Sequence, residues 1–283
     1  MYCIATGAMF SSGFFLLPGL AVMYAGPSAV LAYLLAGLLI VPSMLCMAEL
    51  ATALPRAGGA YYFMDRSLGP AVGAVTGIGT WLALITKSAF ALVGMGAYLA
   101  VAPGLGQFFS PGTLGTTWLI KVIACGLTIL FVAINIFGAK ESTRLQSLLV
   151  LAILGVMAFF AAEGLWHVAG RLPAGALKDR YTPFLHSREG LGGLVGTIGL
   201  VFISYVGLPQ IASISEEVRR PERNLPLGMI LSLGTATLVY VVGTFIMVAV
   251  LGPDRLAGDL TPVATTADEL SEWLPNSLGL ILV

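Results

Sequence analysis

Seven stretches of this chain run for about twenty residues or more with almost no charge, and that pattern restricts the fold more than any motif does. An α-helix rises about 1.5 Å per residue, so about 20 apolar residues match the hydrocarbon core of a bilayer. The stretches run roughly from Tyr2 to Ala25, Ser28 to Leu54, Val72 to Val101, Thr116 to Phe137, Leu145 to Val168, Leu191 to Ser215 and Leu227 to Leu251. Residues are 58% hydrophobic and 10% charged, whereas a soluble domain is about 25% charged. Water alone would leave such a chain with large exposed apolar patches. The sequence therefore predicts an all-α integral membrane protein, multi-pass, with the lipid bilayer as its first partner.

Turn chemistry separates the spans: "AGPS" after Ala25, "LPRAGGAY" from Leu54, "FSPGTLG" from Phe109 and "RRPERNLP" from Arg219. Met1 already lies in the first span, and an apolar restart at Leu274 stops at Val283, too short to cross. The chain is therefore expected to belong to a longer one, truncated in an eighth helix. Lys and Arg are nearly balanced between the two sets of loops. The set Arg56, Arg66, Lys140, Arg144, Arg219, Arg220 and Arg223 lies closest to helix ends, which favours a cytoplasmic N-terminus. A formal net charge of +0 gives no reason to expect nucleic acid as a partner. Cys3, Cys46 and Cys125 lie in apolar runs without metal-ligand spacing and read as small core residues. His167 and His186 likewise lack a partner at such spacing, so no metal and no cofactor is expected.

Two spans carry helix breakers at mid-depth. In "FSSGFFLLPG", Gly13 weakens the helix, Ser11 and Ser12 can hydrogen-bond freed backbone, and Pro18 fits only the first turn of a new helix. The pattern predicts one half-helix ending near Phe10 and another starting near Phe14. "FISYVGLPQ" in the sixth span repeats the device with Ser204, Gly207 and Pro209. Pro42 in the second span has no such cluster. Within hydrocarbon, loose backbone survives only around a cavity or inside protein, and interrupted helices in corresponding halves of a chain point to a transporter's binding site. Amide groups at the start of a half-helix suit a carboxylate, and carbonyls at the end of one suit an ammonium group, so a zwitterion satisfies both. Tyr205, beside the second break, reads either as a lid over a ligand or as an aromatic packing residue.

These residues resemble a known family. "SSGFFLLPG", "AELATALPRAGGAYYF", "GAKESTRLQ" and "SISEEVRRPERNLPLG" look like the amino acid–polyamine–organocation transporters, in the same order and over nearly the whole chain. The resemblance implies a LeuT-like fold of two inverted five-helix repeats, with discontinuous helices 1 and 6 around the substrate. Residues 1–168 would form the first repeat and 191–283 an incomplete second one, within a single transmembrane domain. It further implies secondary active transport of an amino acid or amine across the plasma membrane, coupled to H+ or Na+. Carried over, Ser11, Ser12 and Gly13 match the unwound segment of helix 1, and Tyr205 and Gly207 match the helix 6 gating aromatic and glycine; Phe14 and Ser204, beside the two breaks, complete the candidate substrate-binding set. Glu49, Arg56 and Gly58 match a cytoplasmic loop motif with a structural or gating part. The chain departs from the family at Ser11, where a glycine is common, and at Leu208 and Pro209, where an aromatic and an acid are. Ile153 stands where some proton-coupled relatives carry a lysine.

One charge remains inside the membrane. Lys87 lies mid-span in "WLALITKSAFAL", where a charge costs about 2.5–3.5 kcal/mol and so faces the bundle interior. It reads as a coupling residue whose ammonium occupies a cation site, or as a structural lysine held by carbonyls of a broken helix. Glu216, Glu217 and Glu222 alternate with arginines in what reads as a solvated loop. The leading expectation is a permease for amino acids, neutral ones because neither break holds an acid. The alternatives are a transport-inactive sensor or partner subunit of the same fold, and a carrier of polyamines or other organic cations. An embedded enzyme is disfavoured, since no intramembrane acid, histidine or serine has a catalytic partner.

Overall fold

The computed structural model describes residues 2–10, 12–101, 114–136, 139–173, 175–185, 190–213, 215–218 and 220–270. Ser11, His186, most of the Phe109–Gly115 connection and the apolar run from Leu274 lie outside the described residues. Every regular element among the described residues is helical. The first span divides into α1 (Tyr2–Met9), α2 (Ser12–Phe15) and α3 (Leu17–Ala25), and a 3-10 turn at Gly26–Ser28 leads to α4 (Ala29–Ala53). After the short α5 (Ala60–Leu68) come α6 (Pro70–Val101), α7 (Leu114–Ile136) and α8 (Ala139–Gly170). Another short helix, α9 (Ala176–Arg180), precedes the sixth span, which divides into α10 (Gly190–Phe202), a 3-10 turn at Ile203–Tyr205 and α11 (Leu208–Ser213). The long α12 (Pro221–Leu251) is followed by α13 (Pro253–Leu256) and α14 (Pro262–Leu270).

Among the described residues all seven apolar stretches are therefore helical, although α8 and α12 start six residues before the bounds the sequence predicts. Among the described residues four stretches, Leu17–Ala53, Pro70–Gly96, Gln146–Gly170 and Pro221–Leu251, are long and apolar enough to cross a membrane by length and composition. The sixth span falls short of that length only because it is interrupted. Pro42 lies inside the continuous α4 although Ser43 adjoins it and Gly37 stands five residues before it, so such neighbours do not by themselves break a helix here. Four short helices, α5, α9, α13 and α14, occupy segments whose polar composition reads as loop. Among them α5 buries Phe63 and packs along α6.

Burial separates centre from periphery. In α12, 56% of the apolar window is buried, against 6% in α6. The first packs on α4, α1 and α8 at the core, while Val75, Ile78 and Trp81 of the second stay exposed, as lipid-facing side chains do. Buried Tyr33, Phe14, Met9, Tyr205 and Tyr240 form one cluster between α1, α2, α4 and α12.

Loops fasten both ends of this core. At the end where the chain starts, the Ala57 amide donates to Glu216 Oε2 at 3.1 Å and Ser215 Oγ donates to the Arg56 carbonyl at 3.1 Å. Glu216 thus has a specific partner and is more than a solvated charge. At the other end Arg180 donates to the carbonyls of Ala249 and Val250, and Tyr181 Oη donates to the Phe245 carbonyl at 3.1 Å. An arginine on the last carbonyls of α12 satisfies groups that have no partner within the helix and favours the negative end of its dipole. Burial pushes the Tyr181 phenol pKa well above its ordinary value.

Arg180→Ala is expected to destabilise the fold by about 1–2 kcal/mol, because charge-assisted hydrogen bonds on otherwise unpaired carbonyls are lost. Arg255→Ala should cost less than about 1 kcal/mol, since Arg255 and Glu269 form an ion pair whose side chains are 60% and 41% exposed. Thermal unfolding of both variants in detergent checks the order, which an equal loss would contradict.

Candidate functional site

The interruptions determine the chemistry of the centre. In an unbroken helix the Ala8 carbonyl would take the Ser12 amide and the Met9 carbonyl the Gly13 amide. Here α1 ends at Met9, Phe10 closes its last turn by donating to the Thr6 carbonyl at 2.8 Å, and a new helix starts at Ser12. A second irregularity at Leu16 lets α3 begin with Pro18 in its first turn, where a missing amide hydrogen is harmless. In the sixth span the chain leaves helix at Val206 (φ −76°, ψ 72°) and resumes at Leu208, again with a proline in the first turn.

The two interruptions touch each other. A Cβ built on Gly13 would lie 2.6 Å from both Cβ and Oγ of Ser204, and one on Gly207 would lie 2.8 Å from the carbonyl carbon of Ala8. Glycine at both positions is thus a matter of space, since any side chain would force the segments apart. The Ser204 hydroxyl stands 3.5 Å from the Gly13 carbonyl, at the outer limit of a hydrogen bond.

Side chains from three other helices take over the carbonyls that the breaks set free. Lys87 Nζ donates to Ala8 at 2.8 Å and to Val206 at 3.0 Å, so one ammonium group joins both interruptions. Tyr240 Oη donates to Met9 at 2.7 Å, Tyr33 Oη to Gly13 at 3.0 Å and Tyr98 Oη to Phe15 at 2.6 Å. An unsatisfied buried carbonyl costs about 1–3 kcal/mol, so these four side chains hold the broken backbone in place.

Beside the contact lies a cavity of about 640 Å³, within the range of small-molecule sites. Gly13, Leu17, Lys87, Phe90, Ser204 and Val206 contribute to its wall. Among the described residues its lining is apolar apart from Thr80, Thr86, Lys87 and Ser204, and no carboxylate is present in it.

Of the residues the sequence singled out, Gly13, Ser204 and Lys87 come together at this cavity, and Gly207 lies at the adjoining contact. Ser12 opens α2, and its side chain lies outside the described set, as does the whole of Ser11. Phe14 turns into the core, its ring stacked on Tyr240 at 5.8 Å and 11°. Tyr205 is fully buried, edge-on to Tyr240 at 5.2 Å, and its hydroxyl donates to the Tyr33 carbonyl at 2.9 Å. In this arrangement it packs behind the break and does not line the cavity.

Sequence reasoning missed Tyr33, Tyr98 and Tyr240. The available signal was a phenol in the middle of an apolar span, since a buried tyrosine hydroxyl needs a partner that a regular helix cannot give it. Tyr240→Phe leaves the buried Met9 carbonyl without its donor and is expected to cost about 1–3 kcal/mol in a thermal unfolding measurement. Tyr2→Phe, which loses only a 3.0 Å bond to the Thr235 hydroxyl, should cost less. Equal melting points for the two variants would show that the Met9 carbonyl does not depend on Tyr240.

Known proteins resemble this arrangement of spans and breaks at the level of sequence. A family model described as amino acid permease matches residues 1–272. The branched-chain amino acid permease BcaP of Lactococcus lactis subsp. cremoris is 31% identical over 92% of this chain and 57% of its own length. BcaP of Bacillus subtilis is 28% identical over 98% of the chain and 59% of its own length. The cationic amino acid transporter 3, mitochondrial, of Arabidopsis thaliana is 29% identical over 94% of the chain and 44% of its own length. The chain thus spans about half the length of these curated relatives. A family match over nearly the whole sequence, falling on helical spans interrupted at Met9–Ser12 and Val206–Gly207, makes this multi-pass membrane chain a member of the amino acid permease family of the amino acid–polyamine–organocation superfamily.

Proposed function

We propose that the protein of which this chain is a part or the whole moves an amino acid across the membrane by alternating access around the two interruptions. The observation that carries this reading is the meeting of two broken helices, joined by one lysine, at the edge of a ligand-sized cavity. The substrate carboxylate takes backbone amides of Ser11, Ser12, Gly13 and Phe14. Its ammonium takes carbonyls of the Ser204–Gly207 segment that Lys87 and the local turns leave available. Tyr205 acts as a lid only after its hydroxyl leaves the Tyr33 carbonyl, so in the present arrangement it is held back.

Neutral amino acids are the substrates, an assignment supported by the apolar wall and by the branched-chain permeases among the relatives. The fold is two inverted five-helix repeats, residues 1–168 and 191 onward, and the position of the breaks in the first and sixth spans supports that division. The N-terminus is cytoplasmic, in the plasma membrane. Lys87 is the coupling group: its ammonium lies on a carbonyl from each interruption, as a small coupling cation would.

Uptake of labelled leucine into proteoliposomes tests the reading. Uptake against a gradient is expected, and Gly13→Val, which cannot coexist with Ser204 at 2.6 Å, should lower it at least about tenfold. Binding without flux would instead indicate a sensor, and a chemically altered product an enzyme. For coupling, Lys87→Ala is expected to flatten the pH profile of uptake; an unchanged rate with an unchanged profile would remove Lys87 from that role.

A further inference from the structure

We infer that Lys87 is a specificity-determining residue, a positive wall of the cavity that admits amino acids with apolar side chains and rejects those with cationic ones. The inference rests on the amino acid permease reading above and deepens it by naming the substrate class and the residue that selects it.

Three observations converge. The cavity beside the breaks carries one charged residue, Lys87, and among the described residues no carboxylate lines it. A second positive charge entering with a substrate side chain would meet no counter-charge there and would face an ammonium. The ammonium is also fixed, because hydrogen bonds to Ala8 and Val206, on two separate interrupted spans, hold it at the cavity edge. A lysine has three donors and no acceptor, so with two donors spent on carbonyls the group can still attract a carboxylate but offers nothing to a guanidinium or a second ammonium. Finally, the remaining wall is built from side chains such as Leu17, Leu82, Phe90, Leu200 and Ile203, which favour an aliphatic or thioether side chain by removing its surface from water.

A zwitterion escapes the rejection because its carboxylate offsets its ammonium. Lysine or arginine brings one positive charge more. Two like charges several ångströms apart in surroundings of reduced dielectric repel by enough to lower relative affinity by about tenfold or more. The relatives include both branched-chain permeases and cationic amino acid transporters, so the family itself does not decide between these substrates.

The test is competition for labelled leucine uptake in proteoliposomes by unlabelled isoleucine, methionine, arginine and lysine. For the unaltered protein, isoleucine and methionine are expected to compete and the two cationic amino acids to fail. Lys87→Met should raise the effectiveness of arginine relative to isoleucine by about tenfold or more, whereas Lys87→Arg should keep the rejection. Ala83→Asp places a carboxylate four residues before Lys87 on the same face of α6, where it neutralises the ammonium while the lysine remains to hold its carbonyls. It should shift the ratio in the same direction, and it decides the matter should Lys87→Met fail to fold or, having lost the coupling group, fail to take up leucine. Leucine uptake by Lys87→Met with arginine still rejected overturns the inference, as does arginine competing fully in the unaltered protein. Either result leaves the permease reading standing, whereas no uptake of any amino acid overturns both.

Discussion

In a bilayer every backbone amide and carbonyl must find its partner inside the protein, and this structure is arranged around the few places where a helix gives that partner up. Breaking α1 after Met9 frees the carbonyls of Ala8 and Met9, and leaving helix at Val206 frees another. Left alone in hydrocarbon, each would cost several kcal/mol. Lys87, Tyr33, Tyr98 and Tyr240 supply the missing donors from α6, α4 and α12. A mid-span lysine is thereby explained. The cost of holding its charge in the membrane is offset by two carbonyl dipoles that also needed a donor.

The same bonds make the site two-sided. Behind the breaks, Tyr33, Tyr205 and Tyr240 pack ring against ring with Phe10 and Phe14. In front, toward α6, the wall recedes into the cavity that Gly13, Ser204 and Lys87 share. Close contact at Gly13 and Gly207 brings the broken segments together, and aromatic packing fixes the side from which they can be approached. A ligand at this place therefore meets backbone, the hydroxyls of Thr80, Thr86 and Ser204 and one ammonium before it meets any large polar side chain.

The spans were legible because lipid imposes a length and a composition that any reader of the sequence can count. The breaks stood out as short runs that join glycine, serine and proline, but that signal is not sufficient: Pro42 has Gly37 five residues before it, the spacing of Gly13 and Pro18, and Ser43 beside it, yet lies in an unbroken helix. What could not be read was the identity of the donors. Tyr240 serves Met9 from 231 residues away, and Lys87 serves Val206 from 119 away, so their pairing is set by helix packing and leaves no local pattern. Tyr205 shows the same limit: its position beside the break was evident, but whether its ring faced the cavity or the core depended on where Tyr33 and Tyr240 lay. The polar stretch around Ala60–Leu68 hid α5 for a different reason. Its charges Asp65 and Arg66 read as loop until Phe63 has a face of α6 to pack against.

Because a single ammonium holds Ala8 and Val206 together, any motion that draws the two interrupted spans apart must break at least one of its bonds. In dry surroundings the abandoned carbonyl would be stranded, and that penalty keeps the spans joined while no replacement is at hand. The hydroxyl of Tyr205 is tied in the same way to the carbonyl of Tyr33. Rearrangement thus becomes easy only when another donor or cation reaches the centre. On the proposed reading, the same hydrogen bonds would link the bound species to the movement of the helices. An apolar residue in place of Lys87 would remove that link as well as the charge, so charge and linkage have to be separated by variants that keep the donor, as arginine does, from those that delete it.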